Sequence, residues 1–231
     1  MKEIARNLQA VEERIAGAAA RAGRRRSDIT LVAVSKTRTA GEIEAAIAAG
    51  VTHLGENRVQ EAESKRRCVQ SAAAWHLVGR LQSNKAGRAV ELFDVVQSVD
   101  SPRLAAALQR RAVQAGRSLD VLLQVNSSGA AGQGGVPPEE TPALAELVSG
   151  MSHLRVLGLM TIAEFTSDEA RLRSCFARLR SLSEDLTRAA VEGVETSVLS
   201  MGMSGDFEIA IEEGATMVRV GTAIFGPRAA P

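Results

Sequence analysis

Apolar residues recur at three- and four-residue steps at the start of the chain: Ile4, Leu8, Val11, Ile15, Ala18 and Ala22, with Glu12, Glu13, Arg14 and Arg21 between them. That spacing predicts an amphipathic helix over residues 2–22, closing at Gly23. Arg24, Arg25 and Arg26 follow, a basic triplet that suits compensation of the helix dipole in solvent better than capture of a polyanion. The period then changes. Short apolar, β-branched runs predict strands at 30–35, 53–57, 75–80, 95–99, 119–126, 154–160, 196–201 and 217–221. Alanine-rich or amphipathic stretches between them predict helices at 40–49, 58–70, 85–92, 102–115, 138–149, 168–190 and 205–213. Runs such as Val121 to Val125 and Val156 to Met160 suit strands buried on both faces. Eight strands alternating with helices, with no linker between them, predict an α/β fold: a single (β/α)8 TIM barrel with an extra N-terminal helix, residues 1–231 forming one domain.

An open doubly wound sheet is the alternative. Its glycine-rich fingerprint belongs directly after the first strand, where Ser35-Lys36-Thr37 stands instead. The glycine-rich segment 128–135 follows the fifth strand and lacks a Gly-Lys-Ser/Thr ending, so it reads as a mobile loop.

Composition narrows the chemistry. The 28 Lys and Arg against 27 Asp and Glu leave a net charge of +1, without the basic excess that nucleic-acid binding needs. No apolar stretch is long enough for a membrane span, and no secretory signal is visible, so a cytoplasmic location is expected. Cys68 and Cys175 lack ligand spacing and read as reduced thiols, while His53, His76 and His153 are too scattered for a metal site. Only four of the basic residues are lysines (Lys2, Lys36, Lys65 and Lys85), so chemistry requiring an amine has few candidates.

In such a barrel the reactive groups sit at the C-terminal ends of the strands. Reading those ends gives Lys36, Glu56 and Asn57, Arg80, Ser98 and Asp100, Asn126, Met160 and Thr161, Ser200 to Ser204, and Arg219 to Thr222. A lysine ending a buried strand is either desolvated into a nucleophile or snorkels to the rim; position alone leaves both open. Small residues and hydroxyls after the seventh and eighth strands are what a phosphate site needs, because glycine lets backbone N–H groups approach the anion. Asp206 suits a helix cap. An amine opposite a phosphate cradle suggests a phosphorylated carbonyl compound held as an imine.

Five segments carry a resemblance: Leu31-Val-Ala-Val-Ser-Lys36-Thr37, His53-Leu-Gly-Glu-Asn57, Trp75-His-Leu-Val-Gly-Arg-Leu-Gln-Ser-Asn-Lys85, Leu199-Ser-Met-Gly-Met-Ser-Gly-Asp-Phe207 and Met217-Val-Arg-Val-Gly-Thr-Ala-Ile-Phe-Gly226. In order and over nearly the whole chain, they resemble the pyridoxal phosphate homeostasis protein family, whose barrel is related to the N-terminal domain of alanine racemase. The resemblance implies pyridoxal 5'-phosphate (PLP) as cofactor, with Lys36 as the Schiff-base lysine. Ser204, Gly221 and Thr222 match the phosphate cradle, and Arg219 matches the arginine facing the pyridine nitrogen. Asn57 matches a residue near the ring substituents, with Val34 and Met201 packing near the ring. One loop departs: where the family often has a glutamate and a lysine after Asn126, this chain has Ala130 and Gln133, which puts any secondary amine contact there in doubt.

Racemase chemistry of this fold type uses a tyrosine as second base, and this chain has no tyrosine. His76 and Glu56 are the nearest substitutes on the barrel rim, and both read better as structural. The expected function is therefore a PLP carrier or reservoir without efficient turnover, acting as a monomer, with PLP-dependent apoenzymes as conceivable recipients. A weak racemase or decarboxylase, and a barrel aldolase using Lys36 without PLP, are the alternatives.

Overall fold

Eight parallel strands close in sequence order into a barrel: β1 (Thr30–Val34), β2 (His53–Glu56), β3 (Ala74–Leu77), β4 (Val95–Val99), β5 (Leu119–Gln124), β6 (Leu154–Met160), β7 (Val194–Ser200) and β8 (Met217–Val220). The structure, a computed structural model, describes residues 2–130 and 132–227. Nine helices are described: α1 (Lys2–Arg21), α2 (Ala40–Ala48), α3 (Val59–Arg66), α4 (Ala86–Leu92), α5 (Pro102–Ala115), α6 (Thr141–Ser149), α7 (Glu169–Ala189), α8 (Phe207–Glu212) and α9 (Thr222–Phe225). None of them is long and apolar enough to cross a membrane. Among the described residues no group of three or more His, Cys, Asp or Glu side chains gathers to hold a metal.

Alternation along each strand divides the barrel into two environments. Leu31, Ala33, Leu54, Leu77, Val96, Val121, Leu123 and Val218 face outward and join the helices in one continuous core. Their strand neighbours Val32, Val78, Val95, Leu122, Met160 and Met217 are buried but stand apart from that core, lining the inside. The inner wall is partly polar, since His76, Gln97, Ser200 and Arg219 are buried there too.

The ring is sealed twice. β1 pairs with β8 from Thr30↔Met217 to Ala33↔Val220. Outside that seam, α1 is fastened to the end of the chain: Arg14 pairs with Glu208 at 2.6 Å and Arg21 with Glu212 at 2.7 Å. Asn7 donates to the Ile224 carbonyl at 3.1 Å. Two residues of the basic triplet, Arg24 and Arg26, are tied into the structure, while Arg25 faces solvent and pairs with Asp28. Arg24 donates to the carbonyls of Ile211 and Ala215, satisfying the C-terminal end of α8, and Arg26 pairs with Glu12.

Several boundaries differ from the periodic pattern. β3 ends at Leu77, leaving Arg80 in the following loop. α3 stops at Arg66 because the chain turns back, with the Cys68 and Val69 amides on the Lys65 carbonyl and the Gln70 and Ser71 amides on Glu44. The glycine-rich loop, expected to be mobile, is cross-tied in its described part. The Asn126 carboxamide donates to the Ala130 carbonyl and accepts from Gly129 and Ser128. Gln133, at the position of the family's lysine, bonds Ser128 and the Ile162 carbonyl.

Beneath the turn that leaves β1, a buried lysine collects three acceptors. Lys65 Nζ lies 2.6 Å from the Ser35 carbonyl, 2.7 Å from Glu56 Oε1 and 2.7 Å from Glu61 Oε1. Ser35 Oγ donates to Glu56 at 2.6 Å, and the Thr37 amide donates to Glu61. Thr37 takes a left-handed φ of 66°, rare for a β-branched residue, so this anchoring holds a strained turn. Ser35 and Thr37, the residues on either side of Lys36, are thus both fastened to one ion-pair cluster. Glu56 is fully buried, and burial raises its carboxyl above the usual range.

Lys65→Met strips the ammonium from a buried carboxylate and should destabilise the fold by ~3–5 kcal/mol. Urea denaturation measures it. The double variant Lys65→Met/Glu56→Gln should recover part of the loss, and equal destabilisation in both would mean the ion pair is not the cause.

Candidate functional site

The ends of β1, β2, β7 and β8 bring together most of the residues singled out in the sequence. Lys36 is half-buried in the turn directly after β1, held between the fastened Ser35 and Thr37. Asn57, also half-buried, follows β2. Val34, the last residue of β1, lies against Gly221 at the end of β8. A Cβ on residue 221 would come within 3.1 Å of the Val34 carbonyl oxygen and 3.5 Å of its Cβ. This close approach sets the start of α9 beside the strand end that carries Lys36.

Ser204 completes that corner. Its hydroxyl accepts from the Gly221 amide at 3.2 Å and the Ala223 amide at 3.4 Å, both long for an N–H donor. Thr222, between them, is exposed. Ser204 is delivered by a tight turn at Gly202, whose φ is +91° and where a Cβ would sit 2.6 Å from that of Ala210. The Gly202 carbonyl accepts from the Arg219 amide at 2.9 Å, locking this turn to β8, and Met201 beside it is fully buried.

Asp206 does not cap α8 as the sequence suggested. Its Oδ1 accepts from the Met203 amide at 2.5 Å, so it closes the turn before the helix instead. Burial raises its carboxyl above the ordinary aspartate value.

Arg219 is 4% exposed. Its Nη1 donates to Ser200 Oγ at 2.7 Å and its Nη2 to the Thr161 carbonyl at 2.7 Å. Among the described residues it forms no carboxylate ion pair within 4.0 Å. Burial pulls the guanidinium down to about 10, opposed by the charge of Asp206, and it remains a cation at neutral pH. Ser200 passes its own proton to Gln97 Oε1 at 2.6 Å.

The two candidate substitutes for a second base are engaged elsewhere. Glu56 belongs to the Lys65 cluster. His76 is not on the rim: it is 1% exposed inside the barrel, 2.9 Å from Gln97 Nε2 through Nδ1 and 2.9 Å from His53 Nδ1 through Nε2. Burial, with His53 alongside, pulls His76 down to about 3.

The sequence reading missed Gln97 and Lys65. A glutamine in the otherwise apolar run Val95-Val-Gln-Ser-Val99 was the available signal for the first. Depressions over the neighbouring strand ends extend the barrel mouth. One of about 790 Å³ is lined by Arg80, Asn84, Asp100 and Arg103; another of about 360 Å³ reaches Asn57. The first holds none of the residues gathered near Lys36.

The sign of the pH dependence follows from His76. Its folded value of about 3 lies below the ordinary 6.5, so the unfolded chain takes up the proton first as pH falls. Stability is complete above pH ~6.5 and is lost progressively below it. Between pH 7 and 5.5, before most carboxylates titrate, the thermal midpoint of the wild type should fall more than that of His76→Asn. Parallel curves would remove His76 as the source.

The model of the family described as "Alanine racemase, N-terminal domain" matches residues 6–229. The chain is 45% identical over 229 residues to the pyridoxal phosphate homeostasis protein of Pseudomonas aeruginosa, covering 99% of this chain and 97% of that one. It is 40% identical over 232 residues to the protein of the same name from Escherichia coli, covering 99% and 98%. Among solved structures, PipY of Synechococcus elongatus with PLP bound superposes with a TM-score of 0.85 at 39% identity, covering 96% of this chain and all (100%) of that one. An alanine racemase of Clostridium difficile superposes with a TM-score of 0.77 at 18% identity, covering 100% of this chain and 57% of that one; this shows a shared fold.

Proposed function

The chain belongs to the alanine racemase N-terminal-domain family and, within it, to the pyridoxal phosphate homeostasis proteins, and from that premise we propose that it binds PLP at the β1/β8 corner and serves as a carrier or reservoir of the cofactor. The observation that carries this reading is the contact between Gly221 and Val34, which sets the donors facing Ser204 next to the turn of Lys36. Among the described residues, the Gly221 and Ala223 amides meet a hydroxyl at 3.2 and 3.4 Å, a donor set suited to a phosphate oxygen.

Within this reading Lys36 supplies the amine for the cofactor's aldehyde, and Ser204, Gly221 and Thr222 hold its phosphate. Asn57 lies near the ring substituents, with Val34 and Met201 against the ring. PLP, when bound, supplies an electron-withdrawing ring that can stabilise negative charge on an attached amino compound. Arg219 limits that capacity. A guanidinium that stays protonated donates to the ring nitrogen and leaves it without a proton of its own.

Holding is favoured over turnover for a second reason. A racemase-like reaction needs an acid or base on the face opposite Lys36, within hydrogen-bond reach. The chain has no tyrosine, His76 is sealed in the barrel and Glu56 is committed to Lys65. PLP-dependent apoenzymes are the natural recipients of a carried cofactor, and a self-contained barrel corner fits a monomer.

Incubation with PLP followed by borohydride should place a pyridoxyl group on Lys36, located by peptide mapping, and Lys36→Ala should carry none. Equal labelling of the two proteins would overturn the assignment. Ser204→Ala removes a hydroxyl from the cradle and should weaken PLP retention by ~10- to 100-fold, the worth of one charge-assisted hydrogen bond. Equilibrium dialysis gives the constant, and wild-type retention would exclude Ser204 from phosphate binding.

A further inference from the structure

A line of buried polar side chains crosses the barrel interior, and its direction is fixed by chemistry. Gln97 on β4 touches Ser200 on β7 and Met217 on β8, contacts possible only across the inside because β4 pairs with β3 and β5 in the sheet. A guanidinium has donors and no acceptor, so Arg219 must donate to Ser200 at 2.7 Å. The single hydroxyl proton of Ser200 then goes to Gln97 Oε1 at 2.6 Å. That leaves the Gln97 amide nitrogen, which only donates, facing His76 Nδ1 at 2.9 Å. His76 must therefore be the neutral form protonated on Nε2, and it donates to His53 Nδ1 at 2.9 Å. His53 in turn carries its proton on Nε2. Each donor points away from Arg219, from the mouth of the barrel towards the opposite end. There His53, the first residue of β2, lines a cavity of about 250 Å³ with Glu12, Arg26 and Thr52.

We propose that Gln97 and His76 are positioning residues for Arg219: the one-way chain ending at His53 fixes the orientation of the guanidinium from inside the barrel. Neither residue needs to touch a ligand. A break between Arg219 and the acceptor that His76 offers Gln97 leaves Ser200 free to reorient, and Arg219 then loses a fixed acceptor. The value of this to the cofactor rests on the PLP reading above; the chain itself does not.

Two measurements separate these parts. In ligand-free protein, isotope-edited NMR of the Arg219 guanidinium, assigned with Arg219→Lys, reads how firmly its N–H groups are held. In PLP-loaded protein, the absorption spectrum reads the environment of the ring. His76→Leu removes both of its nitrogens and should speed exchange of the Arg219 protons by about tenfold, the equivalent of one lost hydrogen bond, and shift the absorption maximum. His76→Asn keeps an acceptor for Gln97 and should stay at wild type in both. Gln97→Met, which preserves shape without donor or acceptor, provides the same two readouts should His76→Leu fail to fold. Exchange and spectrum identical to wild type in the folded variants would overturn the proposal, since a merely structural His76 would change stability alone. A protein that stays colourless with PLP, yet whose Arg219 exchange still depends on His76, would overturn the cofactor reading while supporting the chain.

Discussion

A permanently charged guanidinium sealed inside a barrel is the constraint around which this molecule is arranged. Moving such an ion out of water costs several kcal/mol unless hydrogen bonds replace its hydration. Arg219 obtains them without a partner carboxylate in contact, from a carbonyl at the end of β6 and a hydroxyl at the end of β7. Those acceptors must in turn be held, which requires polar groups on an inner wall otherwise built from valine, leucine and methionine. A fully neutral core would pack with less difficulty.

The two ends of the site are stabilised by different physics. Around Lys36 the device is an ion-pair cluster below the turn, where one ammonium binds two carboxylates and a main-chain carbonyl. Around Arg219 it is a series of neutral dipoles. Formal charge thus anchors the turn that carries Lys36, while neutral dipoles stand behind the Arg219 guanidinium.

Much of this was legible in the sequence. Hydrophobic periodicity predicted eight strands, and polar residues at their C-terminal ends marked Lys36, Asn57, Ser204, Arg219 and Thr222. What stayed hidden depended on distance along the chain. Gln97 and Ser200 are 103 residues apart, and neither has a neighbour in sequence that announces the other. Lys65 sits on α3 and looks like any exposed helical lysine until the strand ends of β1 and β2 are placed above it. Asp206 and Arg24 misled for the opposite reason: local rules for caps and dipoles fitted them, and tertiary partners took their hydrogen bonds instead. The four-residue α9 is too short to leave a periodic trace.

The double closure of the ring also governs how the molecule is made. β1 emerges from the ribosome long before β8, its partner at the seam, and α1 waits equally long for Glu208, Glu212 and the Ile224 carbonyl. At elongation rates of ~5–20 residues per second, the chain between Val34 and Met217 takes roughly ten seconds to more than half a minute to synthesise. Throughout that interval the growing chain exposes an unpaired parallel edge, with an apolar helix face beside it, both open to misassociation. The corner formed by Ser204 and Gly221 is translated only after the first seven strands. It gives β1 no cover during that interval, and whatever shields the strand then has to come from elsewhere.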